Sequence, residues 1–325
     1  MITKRTLLQS AIAGALPLLA RPARAAAYPD RPIQLVVPFT PGGGADTLAR
    51  MVAQPMTKKL GQSIVVENRP GGGTTIGSGL VARAAPDGYS LLVGTGSLVI
   101  NQFFMPNVSY DFTQDFAPIG LFARIPFVLV VNPNLPVRSV SELIAYAKQH
   151  PGKLNFASYG TGSPAHLTGE LFARVAGIQI EHVPYSGTAP ALVDVVAGRV
   201  GMMFSTILPA APQIEDGRLR ALAVTSDNRV PALSSLPTMM EAGIKDFEST
   251  GWNGLLAPAG TPQPIVERLN DELKDALTQP QLKRELHSQG HILPARNRPE
   301  DLRDLMQAEA AKWLKIIQEV KLAVN

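Results

Sequence analysis

The chain reads as an α/β protein with largely parallel sheets, and three observations predict this. Short, continuously apolar runs alternate with helical runs, as expected of strands covered on both faces. Several of these runs feed directly into glycine-rich loops that open helices. A helix-rich tail closes the chain beyond residue 258.

The first 25 residues stand outside this pattern. Lys4-Arg5 precede an apolar run, Leu7 to Ala20, that ends at Ala23-Arg24-Ala25, a small-x-small cleavage pattern. The run is shorter than the roughly 20 consecutive apolar residues a membrane span needs. Thr3-Lys4-Arg5-Thr6-Leu7-Leu8-Gln9 fits a twin-arginine export signal with lysine in the first basic position, and an ordinary Sec leader fits as well. Either leader exports the remainder, with cleavage near Ala25, so a periplasmic protein is expected. No cysteine is present, which excludes lipid attachment at a cysteine and disulfide support of the fold.

Charge points the same way. The formal net charge is +4, and residues 1–25 hold Lys4, Arg5, Arg21 and Arg24 with no acid, so the remainder is neutral. The basic character belongs to the leader and argues for no nucleic-acid partner. About 300 residues then remain, which suggests two domains, and 45% apolar residues are enough for two cores.

Strands are expected at 33–39, 63–67, 90–94, 127–131, 154–158, 181–185, 201–205 and 220–225. A helix at 45–60 places Leu48, Met51, Val52 and Met56 on one face and stops at Gly61. Another at 164–176 turns Leu167, Leu171, Phe172 and Val175 inward and stops at Gly177. Ser163 followed by Pro164 fits an N-cap and a first helical residue. In the tail, helices are expected at 263–277, 280–288 and 299–320, where Leu302, Leu305, Trp313 and Ile316-Ile317 recur at helical spacing.

The most informative stretch is Val36-Val37-Pro38-Phe39-Thr40-Pro41-Gly42-Gly43-Gly44-Ala45-Asp46, a strand, a proline-bracketed glycine loop and a helix start. Glycine lets backbone N–H groups approach a ligand, and a helix's first turn offers free donors and partial positive charge. That makes an anion site without a cationic side chain. The arrangement recurs at Gly94-Thr95-Gly96-Ser97 and at Gly160-Thr161-Gly162-Ser163-Pro164.

Other chemistries fit less well. A P-loop needs Gly-Lys-Ser/Thr, but Gly44 is followed by Ala45-Asp46. Gly160-Thr161-Gly162-Ser163-Pro164-Ala165 matches the dinucleotide pattern, but it sits mid-chain, and Glu181 begins its strand where a ribose-binding acid should end one. No Gly-x-Ser-x-Gly elbow occurs. His166 and Glu170 share a helical face with His182 as a conceivable third ligand, yet they read as a pocket-rim histidine and a surface acid. His150, His287 and His291 read as solvated. No metal or cofactor is expected and no catalytic residue is assigned. What remains is binding, through the small hydroxyls of Thr40, Thr95, Ser97, Ser158, Thr161, Ser163, Ser205 and Thr206 at strand ends.

In order along the chain, a set of motifs resembles the Bug-type extracytoplasmic solute receptors, the binding proteins of tripartite tricarboxylate transporters. They include Tyr28-Pro29-Asp30-Arg31-Pro32-Ile33, the 36–46 segment, Val66-Glu67-Asn68-Arg69-Pro70-Gly71 and Ala85-Pro86-Asp87-Gly88-Tyr89. Gly160-Thr161-Gly162-Ser163, His182-Val183-Pro184-Tyr185, the 219–226 segment and Trp252-Asn253-Gly254-Leu255-Leu256-Ala257-Pro258 continue the match to Pro262. The resemblance implies a type II periplasmic binding protein: two lobes, each a mixed, mostly parallel sheet flanked by helices, closing on a ligand in the cleft between them. It places lobe 1 at 26–124 plus 225–325 and lobe 2 at 125–224, with crossings near 122–127 and 222–226.

The resemblance also implies that two loops face each other across the cleft. The first carries Phe39, Thr40, Gly43, Gly44, Ala45 and Asp46; the second carries Ser158, Thr161, Gly162, Ser163 and His166. Thr95, Ser205 and Thr206 complete the expected ligand-binding set. The implied partners are a small carboxylate and the membrane components of a transporter, with the protein a monomer; a receptor feeding a signalling system is an alternative, and an exported enzyme with a nucleotide cofactor a remote one. Where many relatives read Met-Met-Phe-Asp, this chain has Met202-Met203-Phe204-Ser205. Serine cannot pair with an ammonium group, so a di- or tricarboxylate, or an aromatic or aliphatic acid, is expected rather than an amino acid.

Overall fold

A computed structural model describes residues 28–105 and 107–320, so the expected leader lies outside the described residues. Two half-sheets share one long strand. In the first, Ile33–Val37 (β1), Ile64–Asn68 (β2) and Ser90–Thr95 (β3) run parallel in the order β2-β1-β3. Thr250–Pro258 (β9) lies antiparallel to β3, and Phe116–Val131 (β4) pairs antiparallel with β9 as far as Pro126↔Thr250. From Phe127 the same strand changes partners. It then lies between Met202–Thr206 (β7) and Arg220–Val224 (β8), antiparallel to both. Asn155–Ser158 (β5) and Glu181–Pro184 (β6) continue this half parallel to β7, in the order β6-β5-β7. The two halves therefore repeat one plan: three parallel strands, one antiparallel strand that arrives from the other half, and an edge strand.

Helices cover both faces of each half. Gly44–Leu60 (α1) and Gln263–Thr278 (α8) pack Leu48, Val52, Met56, Leu269 and Leu273 on Leu35, Val37, Leu91 and Val93. On the other face, Thr75–Ala82 (α2), Gly96–Phe104 (α3) and Pro299–Val320 (α10) bury Val81, Leu98, Val99, Leu302 and Met306 against Leu92 and Trp252. In the second half, Val140–Gln149 (α4) and Pro164–Ala176 (α5) enclose Phe156, Phe172 and Phe204, while Thr188–Val196 (α6) and Ile207–Glu215 (α7) cover Val128, Val130 and Met203. Each such aliphatic or aromatic side chain contributes roughly 1.5–3 kcal/mol on burial. Pro280–Ser288 (α9) follows α8. A last cluster joins the halves: Ile100 and Phe104 of α3, Leu167 of α5, and Trp313, Ile316 and Ile317 of α10.

Three expectations change. Val175 faces solvent, 46% exposed, because α5 buries only the stripe through Leu167 and Phe172. The strand at 250–258 and the first eleven residues of β4 were not expected as strands. The second crossing is not at 222–226: β8 ends inside the second half, and Val230, Met239, Ile244 and Phe247 pack into that half's core before the chain returns at Ser249–Thr250. The segment from Val230 to Phe247 thus packs with the second half.

Candidate functional site

Four parallel strands each lead into a helix at their carboxyl ends: β1 into α1, β3 into α3, β5 into α5 and β7 into α7. Ligands in such sheets bind beyond these ends. The first and second halves bring the ends together, since Gly96 at the start of α3 lies beside Pro164 at the start of α5, and Gly162 lies beside Phe104. At three of the four helices the N-cap gives no side-chain hydrogen bond: Gly43 for α1, Thr95 for α3 and Thr206 for α7. Their first-turn N–H groups are left without that acceptor. Only α5 is capped as its sequence suggests, with Ser163 Oγ accepting from His166 N at 3.3 Å and Pro164 in the first turn.

The first glycine loop is shaped by Asp46. Its buried carboxylate accepts from Gly42 N at 2.9 Å, from Asn68 Nδ2 at 3.0 Å and from Arg50 Nε at 3.0 Å. Asn68 Nδ2 also donates to Phe39 O at 3.0 Å, tying the loop to β2. Burial pulls the Asp46 pKa upward, but the bonds from Arg50, Gly42 and Asn68 outweigh it and hold the acid below its usual range. Expected as a ligand contact, Asp46 is turned back into its own loop. Phe39 is half-buried against the α1 core, Gly43 and Ala45 are partly exposed, and Thr40 and Gly44 are exposed.

The loop between β5 and α5 is fixed by two stacked histidines. Ser158 Oγ donates to Gly160 O at 2.9 Å and accepts from Gly160 N at 3.1 Å, which leaves it to accept the Nε2 proton of His182 at 2.7 Å. Gly162 N donates to His166 Nδ1 at 3.1 Å, so His166 carries its proton on Nε2, 3.5 Å from Glu170 Oε1. The two rings stack with centroids 3.7 Å apart. Burial, then the neighbouring His166, push the His182 pKa down to about 3, keeping that ring neutral. His166 is therefore buried rather than on a pocket rim, and Glu170 is half-buried beside it rather than on the open surface. Among the described residues no group of three or more His, Cys, Asp or Glu could hold a metal ion. His291, expected in solvent, is also buried, with a pKa pushed down to about 4 by burial.

The hydroxyls divide into two groups. Ser158 and Ser205 are fully buried and bonded locally, Ser205 Oγ donating to Thr206 O at 2.9 Å. Thr161 is exposed and Thr206 partly so. Thr95 differs from both: it is 8% exposed, and its Oγ1 has no hydrogen-bond partner. Its cross-strand neighbour Asn253, 3% exposed, has an unpartnered Nδ2. Asn253 was not expected as a functional residue, although it is a lone amide in a strongly apolar run, and that signal was in the sequence.

Uncapped helix starts and glycine loops meeting between two like-built halves suit a solute trap, and comparison with known proteins decides its kind. The family model described as "Tripartite tricarboxylate transporter family receptor" matches residues 48–322. The chain belongs to this receptor family. Protein BugT of Bordetella pertussis is 37% identical over 93% of each chain. Among solved structures, R. palustris Rpa4515 with adipate is 39% identical with a TM-score of 0.85, covering 91% of this receptor and 99% of that chain. MatC from Rhodopseudomonas palustris with bound malate is 35% identical with a TM-score of 0.82, covering 89% and 100%. The Bug-type resemblance and the two-lobed type II fold are thereby established for this receptor.

Proposed function

We propose that this receptor captures a small carboxylate without a cationic amine in the periplasm and passes it to the membrane components of a tripartite transporter. The observation that carries the reading is that α3 and α5 start side by side while α1 and α7 start at the same ends of the neighbouring parallel strands, three of the four without a side-chain cap. Backbone donors and helix dipoles at such ends favour negative charge without a salt bridge. The relatives solved with adipate and malate support a carboxylate as the ligand class. Ser205 is neutral and its hydroxyl donates to Thr206 O, which leaves no acid at that place for an ammonium group. The loops 39–46 and 158–166 are the two jaws, and the lobes divide between Pro126 and Phe127 and between Ser249 and Thr250, where the β4 partners change. Export with loss of the leader near Ala25, and action as a monomer, complete the reading.

A thermal-shift screen of mono-, di- and tricarboxylates and amino acids tests it. A ligand at 100 times its dissociation constant stabilises the native state by about 2.7 kcal/mol. Tightest binding by a plain carboxylate supports the proposal; tighter binding of aspartate or glutamate, confirmed by calorimetry, removes it.

A further inference from the structure

We infer that Thr95 and Asn253 form a subsite that receives a hydrogen-bond-accepting oxygen at the far end of the ligand and so selects dicarboxylates over monocarboxylates. The inference rests on the carboxylate reading above, adds Asn253 to it and gives Thr95 a specific role. Thr95 and Asn253 are direct partners in the β3–β9 ladder, so their side chains stand together on one face of the sheet. That face is the one covered by α1, because Leu91, Val93, Leu255 and Ala257 on the same alternation all pack in the α1 core. Both residues lie at the carboxyl end of β3, where the ladder is about to give way to the first turn of α3.

Continuing the β1–β3 register from Val36↔Leu92 brings Phe39 level with Thr95, so the glycine loop starts one strand away from Thr95 and two from Asn253. Strands are spaced about 4.8 Å apart, which puts the two polar groups roughly 5 and 10 Å across the sheet from that loop. A carboxylate held at the loop leaves the rest of an elongated ligand over this pair. β4 pairs Ala123 with Asn253, close to the Pro126↔Thr250 pair beyond which that strand changes partners, so the two polar groups lie near the crossings between the halves.

Buried polar atoms in native proteins almost always have partners. Thr95 Oγ1 and Asn253 Nδ2 have none, and both are shut away from solvent. Trp252 Nε1 is unpartnered too, but it stands on the other face of β9, beside Gly96. A hydroxyl and an amide N–H2 together offer donors and no charge. They suit a carboxylate, carbonyl or hydroxyl oxygen and give nothing to a methyl group.

The test uses Asn253→Leu and Thr95→Val, both close in volume to the native side chains, with adipate, malate and hexanoate as probes in calorimetry. The wild-type protein is expected to bind a dicarboxylate probe more tightly than hexanoate. Each variant is expected to lose at least tenfold in affinity for that dicarboxylate while hexanoate binding changes less than threefold. Because the variants remove unpartnered buried donors, their ligand-free melting temperatures are expected to equal or exceed that of the wild type. A purely structural role predicts the reverse: lower ligand-free melting temperatures and unchanged selectivity. Variants that keep wild-type selectivity overturn the subsite alone, whereas a wild-type protein that binds none of the carboxylates overturns the carboxylate reading itself. Should Asn253→Leu not fold, Asn253→Asp serves in its place. Its carboxylate repels the ligand's, so unchanged dicarboxylate affinity in that variant also overturns the subsite.

Discussion

Replacing Asp46 separates a clamp from a ligand contact. Its carboxylate takes bonds from Gly42 N, Asn68 Nδ2 and Arg50 Nε, and it sits in the first turn of α1, where an acid also complements the helix dipole. In Asp46→Ala the donors of Gly42 and Asn68 lose a charged acceptor, at about 1–1.5 kcal/mol each once partial rehydration is allowed. Arg50 is half exposed and regains water, so its ion pair adds only about 0.5 kcal/mol. The sum, about 3 kcal/mol, corresponds to a fall in melting temperature of roughly 6 °C at about 2 °C per kcal/mol for a protein of this size. Differential scanning calorimetry of the ligand-free protein measures that fall. Calorimetric titration should then show affinity reduced by a similar factor for every carboxylate, since the loop loses its shape rather than one contact. A melting temperature within 2 °C of wild type, together with selective loss for a single ligand, would refute the clamp and restore Asp46 as a ligand contact. Acid should act in the same direction. The folded pKa is depressed, so the contribution of Asp46 is present above its unfolded value of 3.8 and is lost as pH falls through the folded one.

Three further outcomes follow from single residues. Gly169 in α5 has no room for a methyl group, a Cβ there lying 2.2 Å from Phe156 Cε2, so Gly169→Ala should destabilise by about 1–3 kcal/mol in urea unfolding. Gly42 sits at φ +79°, so Gly42→Ala should cost about 1–2 kcal/mol, weaken ligand binding and leave the far lobe's hydrogen-exchange protection intact. For His291 the folded pKa, about 4, lies below the unfolded 6.5, so the unfolded chain binds the extra proton. Stability should therefore fall by up to about 3 kcal/mol between pH 6.5 and 4 from this group, and His291→Gln should flatten the slope measured by pH-dependent denaturation.

Much of this architecture was legible because local and tertiary signals agree. The β1–loop–α1 unit, the Ser163-Pro164 start of α5 and the left-handed glycine stops at Gly61 and Gly177 all lie where composition puts them. The strands that join the lobes were not legible. The first part of β4 carries Pro118, Gly120 and Pro126, residues that argue against a central strand, and it accommodates two of them through register shifts at Pro118/Gly120 and Leu121/Ala123. β9 is buried on both faces and contains Gly251, Asn253 and Gly254, so it offers neither alternation nor a β-branched run. In the site, residue type identified the hydroxyls but not their direction. Ser158 and Ser205 turn to local carbonyls and Thr95 does not, a difference set by backbone geometry that composition does not carry.

If the receptor captures a carboxylate as proposed, the closing of the trap follows from the sign of what lines it. On that reading, α1 and α3 start at the carboxyl ends of β1 and β3 in one half and α5 and α7 at those of β5 and β7 in the other, with the starts of α3 and α5 side by side. These ends all carry partial positive charge, so without an anion they oppose one another's approach. The neighbouring cations add little to the field, since Arg50 of α1 is paired with Asp46, and Arg124 and Lys312 both with Glu248. An anion placed between the ends reverses the balance, because it attracts both sets at once and can do so only when the lobes are together. Its affinity for the closed form exceeds that for the open form by the contribution of the second lobe, and that difference is what shifts the population. Thr225 ties together the segments at 127 and 249: its N donates to Phe127 O at 2.9 Å and its O accepts from Ser249 N at 3.0 Å. Its hydroxyl accepts from Phe127 N at 2.9 Å and donates to Ser249 O as well, so one residue bonds to both segments. On the proposed reading, jaws that carry only partial positive charge make the ligand's own negative charge the agent of closure.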